Sequence, residues 1–152
     1  MNDCLAGDRF TVKERYDLPT RIHPTDTAPI IPKSLYAREA GMNSLEARAI
    51  NDIANLDNVL FWHRNMEKRG FCINGFINHY PDFLVRTKGG KTLLVETKGD
   101  DRDNSDSERK LKLGKAWASR AGNKYRYFMV FDKNPIAGAH RLDEFASIIS
   151  NL

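Results

Sequence analysis

The stretch that decides the fold runs from residue 80 to residue 99 and reads YPDFLVRTKGGKTLLVETKG. Two apolar segments flank Gly89-Gly90, a pair that can supply the positive φ angles of a tight hairpin turn. The second segment contains Leu93-Leu94-Val95, and a run that is apolar at consecutive positions is typical of a strand buried on both faces. These residues predict an antiparallel β-hairpin whose second strand is buried.

Two acidic residues lie at the ends of this hairpin that are remote from the turn. Pairing across the turn places Asp82 opposite Glu96 or one residue away, and opposite residues on paired strands are near neighbours. Two buried carboxylates repel each other, so a hard divalent cation is the simplest partner for both. We therefore expect Asp82 and Glu96 to bind Mg²⁺, or Mn²⁺ in its place.

Lys98 completes an acid-x-lysine pattern with Glu96. The two side chains point to the same face, because side chains alternate along a strand. A cation at this position can orient a metal-bound water or offset charge on a phosphate, which suits hydrolysis of a phosphodiester. The alternative is an ordinary ion pair on an exposed edge strand, and the apolar run before Glu96 argues against it.

A helix is predicted before the hairpin, over residues 43–57, because apolar residues recur from Leu45 to Leu56 at spacings of four, four and three. Asn43 can cap this helix. Glu46 lies three positions later, where its side chain completes a capping box. The capping box is a purely structural explanation for Glu46.

A second helix is predicted over residues 106–121, after a loop rich in Asp. Its basic residues either form a solvated face or bind DNA phosphates, with Lys110, Lys112 and Lys115 as the candidates. Lys112 and Lys115 are three positions apart and share a face, whereas Lys110 lies off that face.

The remaining segments complete an α/β pattern. Residues 58–66 form a core segment whose type the pattern leaves open, and 71–73 and 76–77 are predicted to be short strands. Residues 125–131 are predicted to form a core strand, and 141–150 a final helix. This order predicts a mixed, twisted sheet flanked by helices.

The ordered set Pro81-Asp82 and Glu96-Thr97-Lys98-Gly99 resembles the signature of the PD-(D/E)xK nuclease superfamily. Over about residues 34–131 the chain is similar to the C-terminal nuclease domain of type III restriction enzyme Res subunits and related helicase-nucleases. The acid-x-lysine pattern recurs at Glu108-Arg109-Lys110, but that copy lies in a highly charged helix with no strand before it. The similar flanking segments are Ser34-Leu35-Tyr36, Asn43-Ser44-Leu45-Glu46, Trp62-His63-Arg64-Asn65 and Tyr80-Pro81-Asp82-Phe83.

The resemblance implies a restriction-endonuclease-like core that hydrolyses DNA with Mg²⁺. It implies a helicase or translocase domain and a modification subunit as partners besides DNA. It also implies that Glu46 reaches the metal or its water, an interpretation that competes with the helix cap, and that Lys110 is the lysine nearest the site. The alternative function is a nuclease-fold module that binds DNA or a protein without cutting. A junction or repair nuclease shares the chemistry, but the flanking segments count against it.

Length and composition agree with one nuclease domain. The chain has 152 residues, a net charge of +4 and a pI near 9.1, a mild excess that permits nucleic-acid binding. Four prolines within residues 1–33 indicate an extended arm or linker before a nuclease domain at 34–152. The cysteines and histidines lack zinc-site spacing. With no apolar leader or membrane-spanning run, we expect a cytoplasmic protein without a membrane partner.

Overall fold

The computed structural model describes residue 18 and residues 30–36, 39, 41–100 and 104–152. The predicted arm at 1–33 lies almost wholly outside this part of the chain. Within it, strands and helices are interspersed along the sequence. They are α1 (Ser44–Ala54), β1 (Val59–Arg64), β2 (Ile73–Asn74), β3 (Asn78–His79), β4 (Phe83–Thr87), β5 (Thr92–Lys98), α2 (Asn104–Ala121), β6 (Tyr125–Phe131), β7 (His140–Arg141) and α3 (Leu142–Ser150).

A five-stranded mixed sheet organises the described residues, with the strand order β1-β4-β5-β6-β7. β4 pairs antiparallel with both β1 and β5, whereas β6 pairs parallel with both β5 and β7. The connection from β5 to β6 runs through α2, because parallel neighbours need a crossover rather than a tight turn. The predicted α/β class, with a mixed sheet flanked by helices, is confirmed.

The predicted hairpin of β4 and β5 lies at the centre of this sheet. Phe83 pairs with Val95, so the same register extended by one residue places Asp82 opposite Glu96. The positive φ angle of the turn falls on Gly90, at 89°. Of the two registers that the sequence leaves open, the directly opposed one is present.

Both faces of β5 are buried, as its apolar run predicts. Leu93 and Val95 belong to a core that includes residues of α1 and α3. Leu94 belongs to a second core that includes residues of α2. Because side chains alternate along a strand, Glu96 and Lys98 follow Leu94 onto the α2 side of the sheet.

Some helix boundaries differ from the prediction. The helix predicted over residues 43–57 ends at Ala54, because Asn55 serves as the C-cap and its N–H points back to the carbonyls of the last turn. α2 begins at Asn104 rather than at residue 106, and α3 begins at Leu142 rather than at residue 141. In the ranges that the structure describes, no helix is both long enough and apolar enough to cross a membrane.

The strand predictions between residues 58 and 79 are only partly correct. The open segment 58–66 contains β1, which pairs with β4. The strand predicted at 71–73 lies at Ile73–Asn74, and the one predicted at 76–77 lies at Asn78–His79. The Asn65 side chain donates to the Phe71 carbonyl at 2.7 Å and accepts from the Phe71 N–H at 2.7 Å. Phe71 therefore bonds to a side chain instead of to a neighbouring strand.

Candidate active site

A cleft of about 490 Å³ opens where α1 begins and β5 ends. Its walls include four residues that the sequence predicts to be catalytic, Glu46, Asp82, Glu96 and Lys98. Glu46 comes from the first turn of α1, Asp82 from the position before β4, and the other two from the end of β5. The fold therefore brings these four residues from three separate segments to one cleft.

Asp82 is fixed to the end of β5 by hydrogen bonds to one of its carboxylate oxygens. Its Oδ2 accepts from the Thr97 backbone N–H at 2.7 Å and from the Thr97 hydroxyl at 2.9 Å. Burial raises the pKa of Asp82 above its ordinary range, against the hydrogen bonds from Thr97 and the positive charge of Arg64, which lower it. Asp82 is a restrained carboxyl group whose ionised form is disfavoured by its surroundings.

Glu96 is the most deeply buried acid of the cleft, with 5% of its surface exposed. Its Oε1 lies 3.7 Å from Lys98 Nζ and 4.0 Å from Lys110 Nζ. Its Oε2 has no hydrogen-bond partner among the described residues. Burial, followed by the charge of Asp82, raises the pKa of Glu96 well above its ordinary range. A buried carboxylate with an unpartnered oxygen is suited to binding a cation.

Glu46 takes part in the predicted capping box and also faces the cleft. The Asn43 N–H donates to Glu46 Oε2 at 3.0 Å, and the Glu46 N–H donates to Asn43 Oδ1 at 2.9 Å. Arg64 Nη2 lies 3.5 Å from the same Oε2. Burial and then the charge of Asp82 raise the pKa of Glu46. The cap is confirmed, and a role of Glu46 in catalysis stays a prediction.

The two lysines beside Glu96 share a second carboxylate at the start of α2. Asp106 Oδ2 lies 3.4 Å from Lys98 Nζ and 3.3 Å from Lys110 Nζ. Partial burial raises the pKa of Asp106, but Lys110 and Lys98 outweigh it and hold that pKa below its ordinary range. Two ammonium groups and two carboxylates thus form one cluster, of which Glu96 and Lys98 line the cleft. The sequence pattern did not predict Asp106 as part of it.

The other two candidate DNA-binding lysines lie away from this cluster. Lys112 is exposed on α2 and does not line the cleft. Lys115 extends toward Gly138, where a Cβ atom would come within 2.5 Å of its Nζ. Of the three, Lys110 is the one beside Glu96, as the family resemblance implies, and it lies off the face that Lys112 and Lys115 share.

His79 is a buried neighbour of the site that the sequence did not single out. Its Nε2 lies 2.6 Å from the Tyr127 hydroxyl and 4.0 Å from Glu96 Oε2. Burial, followed by the charge of Lys110, lowers the pKa of His79 to about 3, so the ring is neutral. Gly114 of α2 lets the Tyr127 ring approach, since a Cβ atom there would lie 2.5 Å from it. The one feature of the sequence that could have indicated His79 as a neighbour of the site is its position, three residues before Asp82.

The donor set fits a magnesium ion better than a zinc ion. In the described ranges no three His, Cys, Asp or Glu side chains are grouped to hold a metal. Mg²⁺ is typically held by one or two carboxylates and keeps several waters, so Asp82 and Glu96 are sufficient in number and type. The raised pKa values of both acids, to which burial contributes most, and the unpartnered Oε2 of Glu96 are consistent with a cation between them.

The resemblance of the hairpin, its acids and its lysines to PD-(D/E)xK nucleases stays a prediction from the sequence. Comparison of the chain with protein families, with curated proteins and with solved structures found no match.

Proposed function

We propose that this chain is a Mg²⁺-dependent endonuclease domain that hydrolyses DNA phosphodiester bonds. The observation that carries the proposal is the meeting of Asp82, Glu96 and Lys98 in one cleft, where the buried Oε2 atom of Glu96 has no hydrogen-bond partner among the described residues. Charged groups are rarely buried together unless they are paired or bind something. In this cleft the described hydrogen-bond donors do not satisfy all the carboxylate oxygens, since none of them reaches Glu96 Oε2.

Asp82 and Glu96 would hold the metal, which when bound supplies a Lewis acid and lowers the pKa of its water. Thr97 restrains Asp82 through two hydrogen bonds, so the two carboxylates stay on the opposed positions of the hairpin. Lys98 places an ammonium group 3.7 Å from Glu96 Oε1, where it can offset charge that develops on a phosphate. Glu46 offers a further carboxylate that can accept a proton or orient a water.

The arrangement of strands supports a restriction-endonuclease-like core for this activity. An antiparallel hairpin carries the acids, and a parallel β5-α2-β6 unit places a basic helix beside them. We propose further that the domain is the cutting module of a type III restriction-like system, which acts in phage defence. A helicase or translocase domain and a modification subunit would then deliver it to DNA, because no base-reading element stands out in its sequence.

The test is cleavage of supercoiled plasmid with and without Mg²⁺. Glu96→Gln should abolish cleavage, whereas Glu108→Gln should leave it unchanged. Glu108 is the matched control, because it also begins an acid-x-lysine triplet but is exposed on α2. Both variants are checked for folding by circular dichroism. Metal-independent nicking, or equal activity of the folded Glu96→Gln variant, would refute the proposal.

One observation favours the second function, a nuclease-fold module that binds without cutting. Lys98 and Lys110 already offset the charge of Glu96 through Oε1, so a metal-free cleft is partly compensated. The plasmid assay, run beside a binding assay on the same DNA, separates the two functions. Binding by the wild-type chain with no cleavage in Mg²⁺ or Mn²⁺ would select the binding module.

A further inference from the structure

Asp106 is much more exposed to solvent than Glu96, the other acid that contacts Lys98 and Lys110. Its side chain is 55% exposed, compared with 7% for Glu96, yet both contact the same two ammonium groups. Lys98 and Lys110 therefore lie between a buried carboxylate and an exposed one.

The geometry of this contact is that of a bound anion. One oxygen, Asp106 Oδ2, lies 3.4 Å from Lys98 Nζ and 3.3 Å from Lys110 Nζ. A non-bridging phosphate oxygen carries the same type of charge and accepts from ammonium groups at similar distances. Asp106 and a DNA phosphate cannot both occupy the space between the two lysines, and their charges repel each other.

We propose that Asp106 occupies, in the free protein, the place of a substrate phosphate oxygen between Lys98 and Lys110. The phosphate of the DNA backbone displaces its carboxylate, and both lysines then contact the phosphate. Asp106 is in this sense an internal competitor that lowers DNA affinity. The inference rests on the proposed function, since it names the phosphate-binding part of the same site.

Asp106→Asn removes the competing charge while it keeps the size of the side chain. Affinity for a short fluorescent duplex, measured by anisotropy in EDTA at low salt, should increase about three- to tenfold, as expected for removal of one like charge near a phosphate. Asp106→Glu keeps the charge on a longer side chain and should stay close to wild type. If Asp106 has only a structural role, the duplex affinity of Asp106→Asn should not exceed that of Asp106→Glu.

Asp143→Asn is the matched control. Asp143 is 61% exposed, lies in the first turn of α3 and pairs with Arg141. Its replacement by Asn removes one negative charge from the first turn of a helix, as Asp106→Asn does. The affinity of the Asp143→Asn variant for the duplex should change less than that of the Asp106→Asn variant. This comparison removes the general effect of net charge, and melting temperatures of all variants report any effect on folding.

Three outcomes separate the inference from the proposed function. Tighter binding by Asp106→Asn alone supports the competitor role. Unchanged or weaker binding by that variant, in a wild-type chain that binds and cuts DNA, overturns the competitor role and leaves the endonuclease intact. A wild-type chain that neither binds nor cuts DNA refutes both.

Discussion

Asp82→Asn should stabilise the metal-free protein and abolish its cleavage of DNA. The asparagine keeps an oxygen that can accept from the Thr97 N–H and hydroxyl, which bond to Asp82 Oδ2 in the native chain. It removes the charge that Glu96 faces across the hairpin. The substitution therefore tests repulsion between the two carboxylates with little change in shape or hydrogen bonding.

The size of the effect follows from the register of the hairpin. Two charges about 5 Å apart, the spacing of opposed side chains, repel by about 3 kcal/mol at an effective dielectric constant of about 20. Lys98 and Lys110 already offset part of the charge on Glu96, and hydrogen bonds from Thr97 are weaker to an amide. We expect a net gain of about 1–2 kcal/mol, or about 2–6 °C in melting temperature for a domain of this size.

The gain should depend on pH, with a sign that the pKa shifts determine. The folded state raises the pKa of Glu96 well above its ordinary value of 4.5, and that of Asp82 above 3.8. Between the unfolded and folded pKa values the folded chain binds more protons, so stability falls as pH rises through this window. Asp82→Asn should therefore stabilise strongly above the window and little below pH 3.8, where the carboxyls are protonated in both states.

Thermal unfolding in EDTA across this pH range is the assay, followed by a repeat with Mg²⁺. The wild type should gain stability from Mg²⁺, because a ligand that binds only the folded state stabilises it, and the variant should gain less. Asp143→Asn, an exposed acid on α3, controls for net charge. A variant that is no more stable than wild type at high pH, or that responds equally to Mg²⁺, would refute the reasoning.

Four further substitutions test individual residues of the cleft and of α2. Lys98→Ala should lower the cleavage rate by about a hundredfold or more, since it removes one group that stabilises developing charge, and should also weaken duplex binding, because it removes one of the two ammonium groups that would contact the phosphate; normal cleavage would reduce Lys98 to an ion-pair partner. Glu46→Gln keeps the capping box, so a loss of cleavage at a near-normal melting temperature supports catalysis, and retained cleavage leaves only the cap. Lys110→Ala should lower the slope of log affinity against log salt by about 0.9 on duplex DNA, whereas Lys112→Ala should lower it less if only Lys110 contacts the bound strand.

The hairpin and its acids were predictable because each signal is local. The glycine pair, the apolar run and the capping box each span only a few residues of the sequence. All three are present in the structure. The direct opposition of Asp82 and Glu96 is one of the two registers that the sequence left open, and the structure has that one. The position of Glu46 at the cleft is not local, because it depends on how α1 packs on the sheet.

The residues that sequence reasoning missed reach the site through long-range pairing. His79 lies in β3, which pairs with β2 outside the main sheet and carries the ring to Glu96. Arg64 ends β1 and reaches Glu46 because β1 pairs with β4. Asp106 is the acidic residue in the first turn of α2, a position where the helix dipole is enough to explain it. Its second contact, with Lys98, arises only from the packing of α2 against the end of β5.

The site cannot relieve its repulsion by moving its acids apart. Thr97 fixes Asp82, and Leu93, Leu94 and Val95 anchor the strand that carries Glu96 in cores on both sides of the sheet. Among the described residues of the metal-free chain, protonation, the two lysines and Arg64 compensate the charge of these acids.

The two lysines couple the buried acid to the exposed one. Because Lys98 and Lys110 contact both Glu96 and Asp106, removing one acid leaves the lysines more available to the other. Residues within one network of charges do not contribute additively to stability. Substituting Asp82 or Asp106 therefore also changes how readily Glu96 ionises, so the two effects should not simply add.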